Sequence, residues 1–131
     1  MLSHVTVGTN DLARAIGFYD RTLAPLGLQR LDTDLAQGWA GYALPGEAGR
    51  PFWVLVPFDG QPASIGNGVT VAFEAPTPAT VDAVHAAALA AGGQDEGGPG
   101  LRPHYHAAFY AAYMRDLDGN KLCCVCHHPP D

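Results

Sequence analysis

Three stretches of the chain gather side chains able to move a proton, hold a metal or grip a ligand. The densest is Arg102-Pro103-His104-Tyr105-His106, just ahead of a predicted strand. A histidine there, His106 first among them, could act as a general base at a pocket rim, because imidazole titrates near neutrality. Arg102 and His104 would then bind substrate from the same loop, since loops on a rigid scaffold often carry specificity. The competing reading is a solvated loop with aromatic plugs. The second stretch is Cys123-Cys124-Val125-Cys126-His127-His128, which by composition resembles a soft-metal tract. Strand geometry argues otherwise: Cys123, Val125 and His127 share one face and Cys124 with Cys126 the other, so one strand cannot wrap them around one ion. Cys124 and Cys126 are expected in the core, where free cysteine is common. The third is His85, between Val84 and Ala88 on a predicted helix, read as a partly exposed helix-face residue. Trp39, Tyr42, Trp53, Phe73, Phe109 and Tyr113 fall on predicted strands and are mostly core; Trp53 and Tyr113 are assigned to a pocket lining.

The elements that must position these residues repeat. Ser3 to Gly8 alternates as a strand, Thr9-Asn10-Asp11 supplies helix-start residues, and Leu12, Ala15, Ile16, Tyr19 and Leu23 recur at helical spacing. Pro25 and Gly27 close that helix, and Leu28 to Thr33, Gln37 to Leu44 and Pro51 to Pro57 read as three short strands. The second half repeats the order. A strand over Val69 to Ala75 is followed by Thr77 as N-cap, Pro78 at the first helical position, and Val81, Val84, Ala88 and Leu89 at helical spacing before Gly92-Gly93. Strands over Gln94 to Gly97, Phe109 to Arg115 and Lys121 to His127 complete it, the last two joined by an Asp118-Gly119-Asn120 hairpin turn.

The fold class is therefore α+β, with two βαβββ modules at about 1–58 and about 68–128 joined by the short Phe58 to Gly68 linker. Neither copy can bury both faces of its sheet alone, so the two are read as one domain over residues 1–131 that encloses a small-molecule cleft. The chain is 47% hydrophobic, enough for one sizeable core. Its formal net charge of −6, with few and scattered Lys and Arg, leaves no footprint for gripping nucleic acid. No signal core or bilayer-length apolar run is present, so no membrane partner is expected and the location is read as cytoplasmic. Three cysteines crowded on one strand do not make a disulfide framework, in keeping with that compartment.

Ser3-His4-Val5-Thr6-Val7 with Asn10-Asp11-Leu12 and Phe18-Tyr19, together with the closing Tyr113-Met114-Arg115-Asp116-Leu117-Asp118-Gly119-Asn120-Lys121-Leu122, resembles glyoxalase and bleomycin-resistance proteins. These belong to the vicinal oxygen chelate superfamily, with the extradiol dioxygenases, and Leu117 stands where that family usually has proline. The resemblance implies paired mixed sheets around a cleft and, commonly, a divalent metal held by two histidines and a glutamate on the first strands of both modules and a last strand. His4 occupies the first of these positions. Thr70 holds its counterpart in module two, Cys123 replaces the glutamate, and the last-strand counterpart in module one is Phe52 or Trp53. A threonine hydroxyl is a poor donor to a divalent ion, and a thiolate shifts preference towards Zn or Cu(I).

Two functions follow from the resemblance. In the leading one, a metal-poor or metal-free pocket binds a small aromatic or polar molecule through Thr70, Trp53, Arg102, His104 and Tyr113. In the alternative, a metal-dependent lyase, isomerase or dioxygenase-type enzyme uses a zinc-like ion at His4 and Cys123, with His106 or His127 as a further donor and His106 as the catalytic base. The resemblance also implies a homodimer. It points Cys123 into a solvated pocket near His4, which would make it the most reactive thiol.

Overall fold

The computed structural model describes residues 1–128. The first module runs β1 (Val5–Gly8), α1 (Leu12–Thr22), a 3-10 turn at Ala24–Leu26, then β2 (Gln29–Asp34), β3 (Trp39–Ala43) and β4 (Phe52–Leu55). The second runs β5 (Val71–Glu74), α2 (Pro78–Ala90), β6 (Gln94–Leu101), β7 (Tyr110–Arg115) and β8 (Lys121–Cys126). Each module forms a four-stranded mixed sheet, ordered β1-β4-β3-β2 in the first and β5-β8-β7-β6 in the second. The first and last strands of each pair in parallel, and the other neighbours are antiparallel.

Both helices begin where the side chains dictate. Asp11 accepts the Arg14 backbone N–H at 3.1 Å and Thr77 accepts that of Thr80 at 3.1 Å, with Pro78 at the first helical position; each cap is worth about 1 kcal/mol. On α1 the buried residues are Leu12, Ala15, Phe18, Tyr19 and Thr22, and on α2 Val81, Val84, His85 and Ala88. This three-four spacing keeps one stripe turned inward. The two stripes meet each other and one face of each sheet. Tyr42, Phe52 and Val54 of sheet one and Met114, Leu122, Cys124 and Cys126 of sheet two therefore belong to a single apolar core.

Several strands are shorter than the sequence expectations, β5 starting after Thr70 and β8 ending before His127, and larger departures fall elsewhere. Strand β6 continues to Leu101 rather than ending near Gly97. Its Gly97-Gly98-Pro99-Gly100 run is carried through two register shifts on the outermost strand, where Pro99 removes no ladder bond the sheet needs. Phe109 lies just ahead of β7 rather than on it. His85 is buried rather than partly exposed: only 9% of it meets solvent, and its Nε2 lies 2.9 Å from Asp95 Oδ1, tying α2 to β6. Among the described residues no helix is long and apolar enough to cross a membrane.

The modules are clasped by the closing hairpin. Asp116 Oδ1 accepts the backbone N–H groups of Asp118 and Asn120, and Oδ2 accepts the Tyr19 hydroxyl and Asn120 Nδ2. Asp118 in turn accepts the Thr9 hydroxyl at 2.6 Å and the Asn10 N–H at 2.9 Å, and Asn120 Nδ2 donates to the Gly8 carbonyl at 2.9 Å. The polar residues of this turn thus hold the end of β1 and the start of α1, which explains their density.

Candidate functional site

Alternation along the strands decides what faces away from the helices. In sheet one, Val7, Ala40, Tyr42, Phe52 and Val54 go to the core. Thr6, Trp39, Gly41, Trp53 and Leu55 are left on the opposite, open face, with His4 just ahead of β1. His4, Thr6, Asp32, Trp39, Trp53 and Leu55 line a cavity of about 330 Å3 there. Trp53 rather than Phe52 is the residue on this face; Phe52 is 6% exposed and packs edge-on to Phe73. The Trp53 ring lies flat over Gly41, where an added methyl would come within 2.6 Å of it, so the glycine makes room for the indole. Trp39 is held from the other side, its Nε1 donating to Asp32 Oδ1 at 3.3 Å. The result is a floor of two tethered indoles with one carboxylate and one imidazole at its edge. Trp39, read from the sequence with the mostly core strand aromatics, stands instead on this face, two residues from Gly41, whose register partners are Trp53 and Asp32; Asp32 carries no sequence signal of its own.

The open face of sheet two is built differently. Cys123, Val125 and Ala111 form a small apolar layer covered by Phe109 and Tyr113, separate from the main core. This is the face division expected for the cysteine tail, with Cys124 and Cys126 fully buried on the other side. Tyr113 is the cross-strand partner of Cys123, and both Arg102 and Lys121 stand over its ring, at 5.7 and 5.3 Å from the centroid. The Arg102 guanidinium donates to the carbonyls of Gly100 and Gly98 at 2.7 and 2.8 Å, which fixes it in place. Thr70 is exposed just ahead of β5, in step with Ala72, whose register partner is Cys123.

Cys123 does not face a solvated pocket beside His4. It is 3% exposed, and burial pushes its thiol up, opposed by Tyr113, Arg102 and Lys121. Burial also pushes the Cys124 thiol up, to about 12. His4 lines the tryptophan cavity and also a second cavity, of about 240 Å3, with Tyr42 and Phe52 of sheet one and Val71, Ala72 and Phe73 of sheet two; Arg102, Tyr113 and Cys123 come together on sheet two and line neither. Among the described residues no three His, Cys, Asp or Glu side chains gather as a metal group would require. Two cations beside Cys123 also oppose a divalent ion. The donors at His4, Thr70 and Cys123 do not fit such an ion within one chain.

His106 packs at the far end of sheet two. Its Nδ1 accepts the Ala108 N–H at 3.1 Å, which places its proton on Nε2, and Nε2 lies 2.9 Å from His127 Nδ1. The rings stack at 5.2 Å with Phe109 edge-on to both. With that tautomer the outward-facing hydrogen-bond donor of the pair is His127 Nε2. His104 lies against Tyr105, the rings tilted by 41° at 4.2 Å, and takes no part in this pair.

The comparisons agree with this geometry. The profile of the Glyoxalase/Bleomycin resistance protein/Dioxygenase superfamily matches residues 1–124. A glyoxalase/bleomycin resistance protein from Albidiferax ferrireducens superposes with a TM-score of 0.83 at 41% identity, covering 96% of this chain and 98% of the other. A glyoxalase/bleomycin resistance protein/dioxygenase family enzyme from Burkholderia phytofirmans gives 0.70 at 18% identity, covering 96% and 98%. Lactoylglutathione lyase from Agrobacterium tumefaciens gives 0.66 at 18% identity over 96% and 92%, a likeness of fold alone. Among curated proteins none matches the chain significantly. The two clasped βαβββ modules, the closing hairpin and the profile match together place the chain in the Glyoxalase/Bleomycin resistance protein/Dioxygenase superfamily.

Proposed function

We propose that this protein binds a small aromatic molecule on the open face of sheet one, in a pocket that works without a resident metal. The observation that carries the reading is the pair Trp39 and Trp53 on one face of a cavity of about 330 Å3, with Asp32, Thr6 and His4 as its polar contacts. Tethered indoles lose little freedom when a ring stacks on them, and each stacked pair contributes about 0.5–1.5 kcal/mol beyond area burial. The polar groups at the edge supply orientation: a carboxylate accepts, a hydroxyl does either, and an imidazole can donate or accept. Thr70 in place of a histidine, and a Cys123 that is 3% exposed with Arg102 and Lys121 beside it, support the metal-free half of the proposal.

Calorimetric titration of untagged protein with Zn(II), Mn(II) and Ni(II), beside titration with an uncharged bicyclic aromatic such as 2-naphthamide, tests it. The reading expects saturable binding of the aromatic, lost in Trp53→Leu, and no metal bound with micromolar affinity or better. One tightly bound ion per chain, lost in His4→Ala or Cys123→Ser, would instead support a metal-dependent enzyme. We also propose a homodimer, because β2 and β6 are the outermost strands of their sheets and each leaves an edge to be covered. Sedimentation at the mass of one 13.7 kDa chain across micromolar concentrations would overturn that.

A further inference from the structure

Asp32 is an exposed carboxylate set beside two indoles. Among the described residues it makes no ion pair, and the nearest arginine along its strand, Arg30, is turned to Asp20 at 3.1 Å. Its side chain accepts one hydrogen bond, from Trp39 Nε1 at 3.3 Å. Asp32 and Trp53 flank the same register partner, Gly41, and the Trp53 ring reaches across that glycine towards Asp32. Both residues line the cavity of about 330 Å3 and also a neighbouring one of about 230 Å3, whose other lining residues, Leu31, Gly41, Ala43, Ala48 and Pro51, carry no charge. The described lining of the two holds no lysine or arginine, and His4 is its only other titratable group. We propose that the ligand of this face is a cationic aromatic, an organic ammonium joined to a ring, whose charge lies against Asp32 and the two indoles. The inference rests on the reading that an aromatic ring binds the tryptophan face, and adds the charge that the ring carries.

A carboxylate without an ion-pair partner gains attraction from a cation and gives up none, and the apolar walls beside it strengthen that attraction relative to open water. An ionised carboxylate has several acceptor sites, so the Trp39 tether leaves Asp32 free to accept from an ammonium as well. Indole is also the aromatic face that attracts a cation best, through its ring quadrupole, and two stand here. A carboxylate ligand would meet repulsion from Asp32. A bare metal ion would find one carboxylate and one imidazole where a metal site needs at least a third protein donor. A neutral ring would stack on the indoles and leave the Asp32 charge unanswered.

Calorimetry near neutral pH compares 2-naphthylmethylammonium with the uncharged 2-naphthalenemethanol, on the full chain and on Asp32→Asn, Asp82→Asn and Trp53→Leu. The ammonium should bind the parent about tenfold more tightly than the alcohol, and added salt should narrow the gap. Asp32→Asn keeps an oxygen for the Trp39 N–H and should bring the two affinities within about twofold of each other. Asp82→Asn removes the same charge from α2 of the second module and should keep the gap, which separates a contact at Asp32 from the general attraction of an acidic protein. Equal affinities in the parent, a gap that survives Asp32→Asn, or a gap that Asp82→Asn closes as far would each overturn the proposal. Any of these beside alcohol binding that Trp53→Leu abolishes would leave the proposed function standing. Failure of both ligands to bind at millimolar concentration would overturn the two together. The comparison in the parent can overturn the proposal alone, should a variant fail to fold.

Discussion

The Tyr19 hydroxyl donates to Asp116 Oδ2 at 2.6 Å across 97 residues of sequence, joining the helix of the first module to the closing hairpin of the second. Tyr19 is wholly buried and Asp116 is 5% exposed. Burial first, and the Asp116 charge second, push the phenol well above its ordinary value, so the bond is a donated one at any physiological pH. Tyr19→Phe should cost roughly 1–3 kcal/mol, read as a lower midpoint in urea. Asp116→Asn should cost more, roughly 2–4 kcal/mol, because either amide orientation points an NH2 at groups that already donate. Equal stabilities for parent and both variants would mean that the clasp is not what joins the modules.

Gly93 sets the distance between α2 and the rest of the core. A methyl there would fall 2.8 Å from the carbonyl oxygens of Ala88 and Arg115 and from the Phe18 ring. Two of those neighbours are backbone and cannot swing away, so Gly93→Ala should destabilise the fold by roughly 1–3 kcal/mol, against the usual gain from replacing glycine. Thermal unfolding checks the sign.

Stability should fall on the alkaline side. The Cys124 thiol is held protonated to about 12 in the folded chain against 9.0 as the reference. A raised value means that the contribution is complete below about 9 and is lost as pH climbs towards 12, at about 1.4 kcal/mol per pH unit for each proton retained. Tyr19 and Tyr42, both raised from 10.0, add to the same trend higher up. Denaturant midpoints measured from about pH 8 to about pH 10.5 should show this slope, and Cys124→Ala should make it shallower by about one proton. An unchanged slope would show that Cys124 ionises in the folded protein.

All three thiols are buried, so native alkylation at neutral pH should be slow at each. Cys123 differs in what covers it: Tyr113, on the neighbouring strand, rather than the main core. Tyr113→Ala should raise its labelling rate by roughly tenfold or more, by opening access to a thiol beside two cations, and leave Cys124 unreactive. Mass-resolved labelling that speeds up Cys124 instead would mean that the faces of β8 are reversed.

The repeated element order was legible because period-two and helical spacings survive in each copy, and the caps at Asp11 and Thr77 announce themselves. The faces of β8 followed from alternation alone. Gly97 to Gly100 misled because glycine and proline signal turns, whereas the outermost strand tolerates both with register shifts. His85 misled because a helix face is judged from its own neighbours, and its partner Asp95 sits on a strand ten residues on. The site was half visible. Trp53, Tyr113 and Arg102 were singled out, but the convergence of Lys121 and Arg102 on one ring, and of Trp39 and Trp53 on another face, depends on strand register. Position alone suggested a solvated pocket where His4 and Cys123 meet, whereas Cys123 is 3% exposed beneath Tyr113.

The chain's two tryptophans both lie on the proposed ligand face, so their indole N–H resonances report from that site alone. An isotope-edited proton–nitrogen spectrum during titration with 2-naphthamide, and separately with Zn(II), is the most direct measurement. The account expects both indole signals to shift and saturate together with the aromatic, the Trp39 signal also reporting its bond to Asp32, and neither to follow the metal. Indole signals that stay fixed with the aromatic while stoichiometric Zn(II) perturbs them would contradict it.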